Sequence, residues 1–378
     1  MGQVERAAGG RGAGLSDADR VLLRDSIRNL LIRRWPASQA VAKSADPQAI
    51  AALWRELGAQ GLTSLGADPA EGGFRELVLV FEELGRASCP APLLGAMTAN
   101  FALAPLCAAS NAPDSAFELA AALVEDIRQG KALVAAAYGA HDGDSDAGRV
   151  TVNGDGSRCT LDGRIAFVEG AAGASHFIVL TDSPSGVAIV AADAAGLSFR
   201  ETPGLAVPAF SELRFQEAPG TRFDVDHRTL LDLVLLARLA CAARAVGAAQ
   251  RSFELAVEHA KVRRQFDRVI GQFQAIQHKL ADCLISLEGA RLTLDHAAEA
   301  RDMDVPGWQA SGSAALAFAG PAIREVSVQA ICALGAIGYA EEHEAPRHFR
   351  RVHADLARFG GAPRARAELA DSVLGPVA

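Results

Sequence analysis

The side chains able to do chemistry are scattered along this sequence, and several familiar ways of assembling them are missing. The six cysteines, Cys89, Cys107, Cys159, Cys241, Cys283 and Cys332, contain no CxxC pair and no metal-ligand spacing. They read as reduced thiols of a cytoplasmic protein, and no metal site is expected. The glycines of VNGDG (152–156) lack the strand-to-helix setting of a phosphate loop and read as a hairpin turn. His259 and His278 fall on helical segments as ordinary face residues, and Glu341, Glu342 and Asp355 read as structural or surface charges. Lys plus Arg total 37 against 45 Asp plus Glu, a formal charge of -8. Such a surface attracts neither nucleic acid nor an anionic membrane, so any anionic ligand must be held by a local cationic site.

The elements that must position these groups fall into three zones. The chain has 378 residues, half of them hydrophobic, which predicts two or three domains with ample core. The opening MGQVERAAGGRGAG reads as a Gly-rich tail rather than a signal peptide, and no run approaches the ~18 apolar residues of a membrane span. Residues 15–130 read as a helical domain. Leu22, Leu23, Ile27, Leu30 and Leu31 recur at helical spacing after a candidate N-cap at Ser16, and AIAALWRELGAQG repeats the pattern up to Gly61. ELVLVFEELGRAS forms a further helix after the EGG turn.

Residues 131–222 change to short β-branched runs separated by NGDG, DG, SPSG and PG, which predicts a small antiparallel sheet, barrel or sandwich. Residues 223–378 return to helix. Long Ala- and Leu-rich segments at 226–262, 271–302 and 307–334, with shorter ones at 342–358 and 362–374, predict a four-helix bundle. Pro321 should begin or kink a helix. The fold class is therefore α+β multidomain, in the order helical domain, small β domain, helical bundle.

On that plan a resemblance becomes specific. RRQFDRVIGQFQAIQHKLAD, Arg263 to Asp282, resembles the acyl-CoA dehydrogenase signature R-x-Q-F-G-x-x-I-x-x-F-Q-A-I-Q-x-x-L-A-D. The stretch ELGAQGLTSLGADPAEGGFRELVLVFEELGRAS resembles the family's N-terminal pattern. LDGRIAFVEGAAGA resembles its middle-domain pattern, and ALGAIGYAEEHEAPRHFRR its late G-G-x-G-(F/Y)-x-x-E-H. The likeness spans about residues 20–375. It implies FAD as cofactor, an acyl-CoA thioester as substrate, α,β-dehydrogenation, and an electron-transfer flavoprotein as acceptor.

The resemblance also assigns positions. Arg263 falls where the family has an arginine that reaches the FAD pyrophosphate across a subunit interface, followed by Gln265 and Phe266. Phe273 and Gln274 match a pair that contacts a neighbour's FAD. Gly335 is kept in the stretch near the adenosine, where Cys332 and Ala336 depart from the pattern. Phe167 and Val168 match residues that pack on the isoalloxazine, and Glu169 follows where a small polar residue is usual. Around Tyr138 to Asp146 the family's T-E-P-x-x-G-S-D has lost all but its last two residues. Arg238 matches an arginine near the acyl-CoA.

Removal of an α-proton needs a carboxylate base with a tuned pKa. The family places its glutamate at one of two positions, which here hold Phe359 and Ala237. No catalytic base is therefore expected in this chain. The resemblance implies the Glu-lacking subunit of a heteromeric acyl-CoA dehydrogenase, paired with a Glu-bearing homologous subunit in a heterotetramer, on bulky acyl-CoAs including steroid side chains. Other readings are a stand-alone dehydrogenase, as a homo-oligomer, with its base displaced to Asp355 or another of the candidate acids, a scaffold on the same fold, and an oxygen-using flavin enzyme.

Overall fold

A computed structural model of the chain describes residues 15–68, 71–109, 114–143, 145–154, 156–202 and 210–375. The expected N-terminal tail and the PG turn at 203–204 lie outside the described residues. Helix α1 (Asp17–Arg34) starts as expected: the Ser16 hydroxyl accepts from the Asp19 N–H at 3.2 Å. Short helix α2 (Ala40–Ser44) leads to α3 (Pro47–Ala59), which Asp46 caps. Helices α4 (Phe74–Arg86), α5 (Leu93–Ala109) and α6 (Ser115–Arg128) complete the first zone.

α4 is buried on all sides, and its acids are paired. Glu76 takes Arg20 at 3.1 Å, and Glu83 takes Arg28 at 2.6 and 2.9 Å, both arginines coming from α1. Its N-terminus is capped from far along the chain. Asp302, at the end of the second bundle helix, accepts from the N–H groups of Phe74 and Arg75 at 2.9 and 2.8 Å.

The middle zone forms one curled sheet of β1 (Val134–Ala137), β2 (Gly148–Asn153), β3 (Arg158–Val168), β4 (His176–Asp182), β5 (Ser185–Ala191), β6 (Leu197–Thr202) and β7 (Phe210–Asp224), ordered β1-β4-β5-β7-β3-β2 with β6 also on β7. One pairing departs from the antiparallel expectation: β1 runs parallel to β4, Val134 opposite His176. Asp162–Gly163 is a bulge inside β3 rather than a turn. VNGDG joins β2 to β3 as a hairpin, as expected, with Asp155 outside the described residues. Both sheet faces are covered around β4. Phe177 and Val179 pack inside the curl, while Ile178 and Leu180 join the helical core, so HFIVL reads as a continuous apolar run.

Helices α7 (His227–Val262), α8 (Gln274–Asp302), α9 (Trp308–Leu334) and α10 (Ala345–Ala357) form the bundle, and α11 (Gly361–Leu374) packs on α9. Pro321 lies inside α9 and begins no helix. α7 and α4 touch backbone to backbone: a Cβ on Gly85 would fall 1.8 Å from the Arg244 carbonyl oxygen, and one on Gly247 1.8 Å from that of Glu82. This approach holds the N-terminal helices rigidly against the bundle.

Candidate active site

The sequence-predicted positions separate into two places. Ala237, Arg238, Phe359 and Val168 are buried, at the seam between sheet and bundle or in the sheet's core. Arg263, Gln265, Phe266, Gln274 and Gly335 are exposed at the far end of the bundle, with Phe273 half-buried among them.

At the seam, a charge cluster fills the space. Arg244, on α7, donates Nη1 and Nη2 to the Glu169 carboxylate at 2.6 and 2.8 Å. The same guanidinium donates Nε and Nη2 to Asp355, on α10, at 2.9 and 2.8 Å, and Arg351 adds a contact to Asp355 at 3.2 Å. Arg358 donates to Asp142 at 2.9 Å and lies 3.8 Å from Glu169. Three arginines thus face three carboxylates, all buried. Burial pulls the Glu169 carboxyl upward, but the charges of Arg244, Arg351 and Arg358 outweigh it and hold it at about 2. Arg244 and Arg358 remain cations, because the facing carboxylates outweigh the cost of burial. An ionised Glu169 gripped at both oxygens is no proton acceptor. Cys241 is no alternative, since burial pushes its thiol up to about 12.

Phe359 sits within this cluster at φ 57, a left-handed conformation uncommon outside glycine. Its N–H donates to Asp142 at 3.1 Å, and Gly360 and Gly361 follow with positive φ, so the turn is fixed from both sides. The Phe359 ring stands edge-on to Tyr138 at 5.0 Å, and the Arg358 guanidinium lies 4.5 Å from the Phe359 ring centre and 5.2 Å from that of Phe210. The Tyr138 hydroxyl is engaged with Thr98 at 2.7 Å. Phe167 packs on Phe210, ring centres 6.1 Å apart. Arg238 is tied to Glu368 at 2.5 Å, and its Nη2 has no acceptor among the described residues. The cavity bounded by Arg238, Asp355, Arg358 and Phe359 holds about 20 Å³, the room of a single water.

The other place is open. Arg263 ends α7, and Arg264–Gln265 (β8) pairs with Arg268–Val269 (β9) as a short hairpin. Phe266 and Asp267 form its tip at φ 53 and 66, and Phe266 is 84% exposed. Phe273 stacks under the Arg268 guanidinium at 4.3 Å and meets the Phe266 ring at 6.1 Å. The Arg263 guanidinium makes no ion pair among the described residues. Gln274 is exposed at the start of α8, and around Gly335 a Cβ would meet nothing within 4 Å. An unspent guanidinium, an unspent amide and exposed aromatic rings can together hold a phosphate and stack on a planar group.

The position of Asp355 agrees with its reading as a structural charge, and Glu341 is an exposed charge paired with Arg350 at 2.7 Å. Sequence reasoning passed over Arg244, Arg358 and Asp142. A signal existed for the first: in ARLACAARAVG, Arg244 is a charge inside an apolar helical run, and such a charge requires a buried partner.

A helical domain, a curled sheet and a helical bundle meeting at one seam define an α+β multidomain protein. Residues 230–371 match the acyl-CoA dehydrogenase C-terminal domain. Acyl-CoA dehydrogenase IpdE2 of Mycobacterium tuberculosis is 31% identical over 343 residues, covering 89% of this chain and 91% of the relative. A solved variant of the Tcur3481-Tcur3483 steroid ACAD superposes with TM-score 0.80 at 25% identity, over 94% of this chain and 98% of its own. The ChsE4-ChsE5 complex from Mycobacterium tuberculosis shares the fold at TM-score 0.81 and 23% identity, covering 96% and 99%. The chain belongs to the acyl-CoA dehydrogenase family. The cofactor of that family is FAD, and membership supports an oxidoreductase acting on acyl-CoA. Among the described residues no helix is long and apolar enough to cross a membrane, and no group of His, Cys, Asp and Glu suits a metal.

The residues present fit FAD unevenly. The open face at Arg263, Phe273 and Gln274 suits a pyrophosphate and its neighbouring rings. The seam does not suit an isoalloxazine with an acyl thioester, because ion pairs and the Phe359 ring occupy it.

Proposed function

We propose that this chain is the Glu-lacking subunit of a heteromeric acyl-CoA dehydrogenase. One contrast carries the reading. At the seam, where the family has its base, this chain has Phe359 and a closed ion-pair cluster with a cavity of about 20 Å³. The Arg263–Gln274 face, which serves a neighbouring subunit in the family, is open.

In this assembly the flavin lies chiefly in a homologous, Glu-bearing partner. When bound there, FAD supplies a hydride acceptor for Cβ of the acyl-CoA, and the α-proton goes to the partner's carboxylate. The residues of this chain bind and orient. The Arg263 guanidinium offsets pyrophosphate charge, the Gln274 amide donates a hydrogen bond, Phe273 and Phe266 cover apolar ring surface, and Gly335 admits close backbone approach. Arg238, buried and paired with Glu368, keeps the shape of its helix rather than contacting an acyl chain. Phe167 and Val168 pack within the middle domain. The acyl group is bulky, as a steroid side chain is, in line with the steroid ACAD among the similar solved structures. Electrons pass on to an electron-transfer flavoprotein.

Purified alone, the chain should be colourless and inactive. Co-expressed with a Glu-bearing homologue, it should co-purify with flavin and support acyl-CoA oxidation. Full turnover by the chain alone would overturn the reading. The closed seam also suits a member without dehydrogenase activity, either a scaffold or an oxygen-using flavin enzyme. A colourless co-purified assembly without turnover supports the scaffold, and a yellow chain whose reduced flavin reacts rapidly with oxygen supports the oxygenase.

A further inference from the structure

The outward face of the middle sheet carries a row of arginines. Arg149 on β2 lies directly opposite Arg164 on β3, and Arg164 lies directly opposite Arg214 on β7. Arg200, on β6, stands opposite Glu212, one step along the same face. Ile165, Leu213 and Phe215, which alternate with these positions, fill the core inside the curl, so the arginines point away from it. Their side chains are open to a partner: Arg164, Arg200 and Arg214 are 49%, 73% and 56% exposed, and Arg149 is exposed as well.

The sheet itself gains nothing from this arrangement. Like charges directly opposite on neighbouring strands destabilise the pairing, and the row holds two such pairs in succession. Their neutralisation is incomplete. Arg214 donates to Glu212 at 2.7 Å and Arg164 at 3.3 Å, and the Arg200 Nε lies 3.8 Å away, so three guanidiniums share one carboxylate. Asp162, two residues along β3, is already taken by the Asn153 amide at 3.1 Å and the Glu217 N–H at 2.8 Å. Arg149 makes no ion pair among the described residues. In a chain of formal charge -8, the row is a local reversal of sign. Small molecules take concave sites, whereas an open sheet face suits the surface of a macromolecule, and arginine is enriched in such interfaces. Glu212 shows which acceptor fits: a carboxylate held by more than one guanidinium.

We infer that this face docks an acidic segment of a partner protein, whose Asp and Glu carboxylates pair with Arg149, Arg164, Arg200 and Arg214. The surface is independent of the flavin reading.

The test is fluorescence anisotropy of a labelled deca-glutamate peptide titrated with the full chain. Binding should be saturable at low salt and weaken several-fold as ionic strength rises from ~0.01 to ~0.15 M, where the screening length falls from ~30 to ~8 Å. Arg149→Gln combined with Arg214→Gln should weaken the peptide about five-fold, the worth of two exposed ion pairs. Arg33→Gln combined with Arg366→Gln removes the same charge from exposed positions on α1 and α11, and at the higher salt should leave affinity unchanged. The absence of saturable binding overturns the proposal, as does an equal loss in the two double variants. Tighter binding of inorganic pyrophosphate, of a short DNA duplex or of phosphatidylserine vesicles than of deca-glutamate overturns the assignment to a protein's carboxylates. Should the first double variant fail to fold, Arg149→Gln, which breaks no ion pair, decides: wild-type affinity in that variant overturns the proposal.

Discussion

Arg244 and Glu169, 75 residues apart in sequence, meet in a two-bonded ion pair of 2.6 and 2.8 Å that fastens the end of β3 to the first bundle helix. The other edge of the same guanidinium fastens Asp355. One side chain therefore joins three segments at the seam and holds both facing carboxylates in ion pairs.

This keystone makes a stability prediction. Arg244→Met removes the cation but leaves Glu169 and Asp355 buried, and breaking a buried pair from one side costs about 3–5 kcal/mol. Arg350→Ala, which breaks the exposed pair with Glu341, should cost less than about 1 kcal/mol. Urea unfolding of both variants provides the comparison. Equal midpoints would show that the seam cluster contributes no more than a surface pair.

Restoring the glutamate should not restore the reaction. Phe359→Glu places a carboxylate in contact with Asp142 and Tyr138, in a space of about 20 Å³. The Arg358 guanidinium faces this position, but the neighbouring Asp142 carboxylate and the lack of space should still destabilise the chain by about 1–3 kcal/mol, and acyl-CoA oxidation by the purified variant should stay at background. Turnover by that single substitution would mean that the seam opens to substrate.

The open face predicts the opposite pattern. Arg263 and Gln274 are exposed, so Arg263→Ala and Gln274→Ala should shift the chain's own unfolding by less than about 0.5 kcal/mol. In the co-expressed complex, Arg263→Ala should lower retained flavin, measured by absorbance per subunit pair. Unchanged flavin content with unchanged stability would remove Arg263 from the cofactor site.

Stability should fall in two stages as pH falls. Burial holds the His348 and His141 imidazoles below the ordinary 6.5, so the folded chain resists their protonation. Their contribution is complete above about 6.5 and declines as pH drops below that value. Burial raises the Glu169 and Glu344 carboxyls, but neighbouring groups outweigh it and hold each at about 2: Arg244 foremost for the first, and for the second the hydrogen bond from His348 with the Arg251 charge. Their contribution is complete above the unfolded value of 4.5 and is lost as pH falls through the folded one. Unfolding midpoints across this range should decline throughout, with His348→Asn removing part of the first stage. A midpoint that rises between neutral and mildly acid pH would contradict the assignment.

Much of this was legible without coordinates. The three-zone order, the Ser16 cap, the hairpin at VNGDG and the long bundle helices are local patterns of side-chain period and turn chemistry, and a local pattern constrains its own segment wherever the chain goes. What only the tertiary structure decided is who meets whom across long separations: Asp302 capping α4, β1 lying parallel to β4, Pro321 carried inside α9, and Arg244 bridging Glu169 to Asp355. Sequence places a charge in an apolar helix and so demands a partner. Which carboxylate answers, and whether the space between them stays open for a ligand or closes, depends on the global path that brings sheet and bundle together.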